Sequence, residues 1–89
     1  MIMIFVLDRG FVVAGEAEVS KEFALHWKVT GKTIRIWGTT EGLAELKDGP
    51  LKETKLDTVT ERFIPFRSVI EMLVPTKKGV ARWKEALSI

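Results

Sequence analysis

The stretch "EFALHWKVTGKTIRIW", Glu22–Trp37, decides how this chain folds. Its first half alternates, with Phe23, Leu25, Trp27 and Val29 on one side and Ala24, His26 and Lys28 on the other, which is the period of a half-buried strand. Its second half, "TIRIW", alternates again: Ile34 and Ile36 face the core, while Thr33, Arg35 and Trp37 face away. Thr30-Gly31-Lys32 lies between the halves and reads as a hairpin turn, because glycine supplies the positive φ that tight turns need. The expectation is two antiparallel neighbours joined at Gly31.

Upstream, "MIMIFVL" is apolar on both alternating faces, as a strand covered on both sides would be. It has no basic leader and Asp8-Arg9 cuts it short, so it reads as a strand rather than a signal peptide or membrane span. Asp8-Arg9-Gly10 makes a tight turn into "FVVAGEAEV", where Gly15 marks a bulge or a close approach. Glu16 and Glu18 read as solubilising or edge-protecting residues.

Downstream, Gly38 ends the strand and Thr39 or Thr40 caps a short helix with Glu41 in its first turn. Leu43 and Leu46 share its buried face, and Asp48-Gly49-Pro50 stops it. "LKETKLD" reads as an ordered loop, and "TVTERFIP" and "RSVIEMLVP" as the last two strands, turned sharply at "IPFRSVI". Thr76–Leu87 closes the chain as a helix with Val80, Trp83 and Leu87 in one apolar stripe. Lys77 and Lys78 would oppose the dipole of a helix beginning there, so the simpler reading starts it near Gly79; otherwise the two lysines serve a partner. Trp83 is either core or a contact anchor.

Residues 1–89 thus form one mostly-β domain: a small SH3-like or strongly bent β-barrel with a short inserted helix and a C-terminal helix. The alternative is a two-layer α+β sheet with that helix across one open face.

The chemistry is sparse. No cysteine is present, which excludes disulfides, thiolate metal sites and thiol catalysis, and fits a reducing cytoplasm. "TGKT" at Thr30–Thr33 imitates the end of a P-loop, but His26 stands where the first glycine belongs and a strand follows instead of a helix. His26 is the only histidine and reads as a surface residue; Ser20, Ser68 and Ser88 have no nucleophile-elbow context. Neither an enzyme, a cofactor nor a metal is expected.

The net charge is +2, and its excess lies late: residues 51–89 hold eight Lys/Arg against five Asp/Glu. Lys52, Lys55, Lys77, Lys78, Arg82 and Lys84 are the basic surface candidates. On "TIRIW", Arg beside Trp suits a protein interface or stacking on a base, and Thr39, Thr40 and the helix N-terminus after it suggest an anion pocket. Arg35, Trp37, Thr39 and Thr40 are therefore the partner-binding candidates; the competing reading packs Trp37 beneath the short helix.

The order of "VLDRGFVVAGEA", "IRIWGTTEGLAEL", Gly49-Pro50, "TKLD" and "IPFRSVIEML" resembles that of a set of small uncharacterised phage and prophage proteins. These share a Leu-x-Arg-Gly-x-Val-Val-x-Gly opening, a strand ending Arg-x-Trp-Gly-Thr, a Gly-Leu-x-Glu-Leu turn, a Gly-Pro, a Thr-x-Leu-Asp and a late Pro-x-x-x-Val-Ile. The resemblance runs from Val6 to Val74 and transfers no catalytic or binding residue. The basic segment around Trp83 departs from the pattern, and so does the absence of a late cysteine that some of those proteins carry. It implies a phage accessory protein in the bacterial host cytoplasm. The leading expectation is a non-enzymatic module that binds a protein partner or itself, a homodimer through edge strands included. The alternative is a nucleic-acid-binding small barrel using Arg35 and the basic candidates; no membrane association is expected.

Overall fold

The computed structural model describes residues 1–89. Strand β3 (His26–Ile36) runs without interruption through Thr30-Gly31-Lys32, so the expected hairpin is absent. Gly31 sits in the strand's middle, opposite Gly15 of β2 (Val12–Val19) on one edge and Thr60 of β5 (Thr60–Pro65) on the other. Its glycine is there for space rather than for a turn. A Cβ on Gly31 would stand 2.0 Å from the Ala14 carbonyl oxygen and 2.4 Å from Gly15 Cα. The close-approach reading of Gly15 holds, since a Cβ there would lie 2.6 Å from the Thr30 carbonyl oxygen.

The true connection between β2 and β3 is Ser20–Leu25. Ser20 Oγ accepts the amide N–H groups of Glu22 and Phe23 at 3.1 and 3.0 Å, an arrangement that bends the chain locally. Leu25 takes a left-handed conformation with φ 59. Phe23 and Leu25 therefore stand on a loop, 51% and 72% exposed, instead of facing the core beside Trp27 and Val29.

β1 (Ile2–Leu7), β2 and β3 form a meander, and β3 carries β5 along His26–Gly31 and the two-residue β4 (Lys55–Leu56) along Ile34–Ile36. Part of the segment expected as a loop is thus a short edge strand. A 3-10 turn at Phe66–Ser68 then takes the chain from β5 at one side of the sheet to β6 (Val69–Leu73), which pairs with β1 at the other. This is SH3-like connectivity, in a curl whose two outer strands are not hydrogen-bonded to each other. Six strands are present, but the expected pair around Gly31 has merged into one and β4 is the sixth.

Both faces of the sheet are covered. Met3, Phe5, Val13, Ala17, Val29 and Ile64 fill the inside of the curl, with Val69 and Met72 closing it from β6. Ile2, Ile4, Val12, Ala14 and Ile34 point the other way and are covered by Leu46, Trp83 and Leu87. The doubly apolar "MIMIFVL" is explained by this sandwiching: its residues alternate between two cores. The curled, SH3-like sheet and the helix laid across its outer face coexist in one domain.

Helix α1 (Lys77–Leu87) starts at Lys77, earlier than expected. Thr76 is the N-cap: its Oγ1 accepts the Gly79 N–H at 3.1 Å and donates to Asp48 Oδ1 at 2.6 Å. Asp48 places a carboxylate beside the N-terminus, which offsets the unfavourable Lys77 and Lys78 in the first turn. Close packing continues at Gly79, where a Cβ would lie 1.8 Å from the Lys47 carbonyl oxygen. Trp83 is fully buried and its Nε1–H donates to the Leu46 carbonyl at 2.7 Å, so it is a core residue and not a contact anchor. At the other end, Lys32 Nζ donates to the Ala86 carbonyl at 2.9 Å, a cation where the helix dipole favours one.

Two substitutions test this packing by urea denaturation. Gly31→Ala has to displace backbone rather than a flexible side chain, and is expected to cost more than about 4 kcal/mol or prevent folding. Trp83→Phe keeps much of the apolar volume but removes the indole donor, leaving the Leu46 carbonyl with the Gly49 amide alone and a gap beside it, for an expected loss of roughly 1–3 kcal/mol.

Candidate partner-binding cleft

The register of β2 on β3 pairs Val13 with Thr33, and Val13 belongs to the inner core. Continuing that register by two residues sets Phe11 against Arg35, at the end of the barrel where the strands outrun the core. The Asp8–Gly10 turn lies at the same end, with Arg9 in the left-handed region at φ 65, a conformation that strains a non-glycine residue. The outcome is an open cleft of about 500 Å³ whose lining includes Arg9, Phe11, Thr33, Arg35, Trp37 and Asp57.

Arg35 and Trp37 therefore do come together. Trp37 is 40% exposed, so it does not pack beneath the short helix as the competing reading had it. Its carbonyl accepts the Thr54 hydroxyl at 2.6 Å, which ties the end of β3 to the loop before β4. Ile34 is buried as expected, but Ile36 is 57% exposed. The pairing with β4 slips between these two residues, and Ile36 meets Lys55 of a strand only two residues long.

Thr39 and Thr40 do not line the cleft. The segment after them is a 3-10 helix, Leu43–Asp48, with Gly42 at its N-cap and no side chain capping it. The bonding is the reverse of the expected one: the Glu45 carboxylate reaches back and accepts from the Thr40 amide at 3.0 Å and from the Thr40 hydroxyl and Glu41 amide, both at 3.1 Å. The anion pocket expected at this corner is thus filled by the chain's own carboxylate. Leu46 is buried and Leu43 packs against the same core, as their spacing implied.

Arg9, Phe11 and Asp57 were not among the sequence-derived candidates. The missing signal was the register: once β3 is read as a single strand beside β2, Phe11 falls opposite Arg35, whereas a hairpin at Gly31 separates them.

The six basic candidates Lys52, Lys55, Lys77, Lys78, Arg82 and Lys84 are all exposed and none lines the cleft. At about 100° per residue, Lys77 and Lys84 fall on one flank of the outward face of α1 and Lys78 and Arg82 on the other. Glu85 projects between them. Arg82 lies over Gly49, with Nη1 3.5 Å from the Asp48 carbonyl. Lys52 and Lys55 belong to the loop and strand of β4. None of the six has a carboxylate within 4 Å; the ion pairs are Met1 N-terminus–Glu16, Lys28–Glu22 at 3.6 Å and Lys28–Glu61 at 4.0 Å. β2 is interior to the sheet, so Glu16 and Glu18 do not protect an edge; Glu16 holds the N-terminal amine.

His26 is half-buried, and its Nδ1 is placed to donate to the Ala24 carbonyl at 2.8 Å, with no carboxylate orienting the ring. No group of three or more His, Asp or Glu side chains gathers in a metal-holding arrangement. No helix is long and apolar enough to cross a membrane. No protein-family model matches the chain, and neither a curated protein nor a solved structure matches it.

Glu45→Ala separates the corner from the cleft. It should speed hydrogen exchange at the Thr40 and Glu41 amides, which lose their acceptor. Being a surface change, it should lower global stability by less than about 1 kcal/mol.

Proposed function

We propose that this chain is a small non-enzymatic interaction module of phage or prophage origin that binds a protein partner in the bacterial host cytoplasm. The cleft at Arg35 and Trp37 is its contact surface. One observation carries this reading: a tryptophan and a phenylalanine stand 40% and 58% exposed beside two arginines, although both cores are complete without them. Tryptophan and arginine are the residue types that contribute most at protein interfaces. The phage setting rests on the motif order quoted above.

The test is capture of the partner from host lysate followed by titration against variants. Arg35→Ala and Trp37→Ala should each weaken binding by more than about 2 kcal/mol, roughly 30-fold, as central interface residues do. Both variants should keep the wild-type circular dichroism spectrum, and Glu45→Ala should bind normally. Unchanged affinity in folded Arg35→Ala and Trp37→Ala would remove the cleft from the proposal.

A second reading has its own support in the outward face of α1, where Lys77, Lys78 and Lys84 have no carboxylate partner. A nucleic acid bound there would show an affinity that falls steeply with salt, and a shallower salt slope in Lys77→Ala/Lys78→Ala. Absence of DNA and RNA binding at low ionic strength, where counterion release helps most, would dispose of it.

A further inference from the structure

Three of the chain's five arginines converge on the open end of the barrel. Arg9 and Arg35 line the cleft, and Arg62 of β5 reaches its wall, donating from Nη1 to Thr33 Oγ1 at 3.0 Å. None of the three has a carboxylate within 4 Å. Arg62 Nε is buried without any hydrogen-bond partner, an expensive state for a charged donor group. The backbone at Arg9 is held in the left-handed region, where arginine gains nothing over glycine or asparagine in local stability. Cationic groups thus outnumber anionic ones at this place: Asp57 is the one carboxylate in the cleft lining, and it pairs with none of the three guanidinium groups.

From this we infer that the cleft takes an acidic peptide segment, with carboxylates meeting the Arg9 and Arg35 guanidinium groups and apolar side chains resting on Trp37 and Phe11. The inference rests on the interaction-module reading and assigns its partner a chemistry. Guanidinium forks match carboxylates in two parallel hydrogen bonds. A phosphate backbone shares the charge but not the pattern. Asp57 lines the cleft and Asp8 adjoins Arg9, so successive phosphates would meet carboxylates, whereas carboxylates spaced by apolar side chains can avoid them. Charge complementarity and the two exposed aromatic residues therefore select a peptide in which acidic and apolar residues alternate.

The probe is a fluorescein-tagged synthetic peptide alternating Glu and Leu, followed by anisotropy against the full chain. A Lys–Leu counterpart and oligothymidylate serve as comparisons. The Glu–Leu peptide should bind saturably and more weakly as salt rises, and the Lys–Leu peptide should not bind. Arg35→Gln and Arg9→Asn, the latter compatible with the left-handed backbone, should each reduce affinity about tenfold, a typical loss for a charge-assisted contact. Equal binding of both peptides would overturn the inference, because apolar contact alone would then suffice. Preferential binding of oligothymidylate, lost in Arg35→Gln, would overturn it in favour of nucleic acid. If the Glu–Leu peptide fails to bind while Arg35→Ala and Trp37→Ala still lose the lysate partner, the acidic segment is wrong and the module reading survives. If those variants also keep the lysate partner, both fall.

Discussion

The contact between Gly15 and Gly31 is the constraint on which this fold depends. Where the two residues oppose each other, backbone meets backbone with no room for a side chain on either strand. Because β3 passes straight through this point, it is long enough to pair with β2 on one edge and with both β5 and β4 on the other. β5 alongside β3 brings the short 3-10 turn into reach of β1, so β6 can close the opposite side of the curl. Had the chain turned back at Gly31, β5 would have lost its partner and the inner core would have lacked Ile64.

A sheet curled this way buries only one face. The outer face of β1 and β2 is as apolar as the inner, and α1 covers it in association with the 3-10 helix at Leu43–Asp48. Polar groups add to the apolar packing of Leu46, Trp83 and Leu87: Trp83 bonds to the Leu46 carbonyl, Thr76 to Asp48, and the Thr76 amide to the Lys47 carbonyl. These bonds fall on carbonyl and capping groups at the ends of the two helices, where intrahelical partners run out. Gly79 allows the two segments to meet at backbone distance. The corner after Gly38 is accordingly a structural device, and its free amides are closed by Glu45.

The sequence made some of this legible and hid the rest for identifiable reasons. The doubly apolar run at Ile2–Leu7, the Val80/Trp83/Leu87 stripe and the stop at Asp48-Gly49-Pro50 are local patterns whose period or chemistry admits few readings. Gly31 is ambiguous in the sequence because a glycine needed for close approach and one needed for a turn look alike until its strand partner is known. That ambiguity conceals the neighbourhood of Phe11 and Arg35, whereas Phe23 and Leu25 alternate with Trp27 and Val29 and are turned outward by the Ser20 bend and the left-handed Leu25. Glu45 was similarly opaque, since a carboxylate folding back on preceding amides has no spacing that distinguishes it from a solvated one. Arg35 and Trp37 are legible because they lie two residues apart in the sequence at the end of β3, whereas Arg9, Phe11 and Arg62 arrive through long-range pairing.

The cleft and the cores answer to different residues, and this separation follows from where the sheet ends. Phe11 just precedes β2, Ile36 is the last residue of β3 and Trp37 follows it, so these side chains stand clear of neighbours that could bury them. Phe11, Ile36 and Trp37 are exposed for that reason, while Val13 and Ile34, two or three residues further in, are almost fully buried. Substitutions at the exposed positions remove little burial, whereas those at Gly31, Gly79 or Trp83 disturb contacts that hold the strands and helix together. A barrel of this size cannot spare large aromatic side chains from its core unless the core is already filled. Here two clusters fill it from both sides of one sheet, which leaves the open end able to vary in chemistry without loss of the fold.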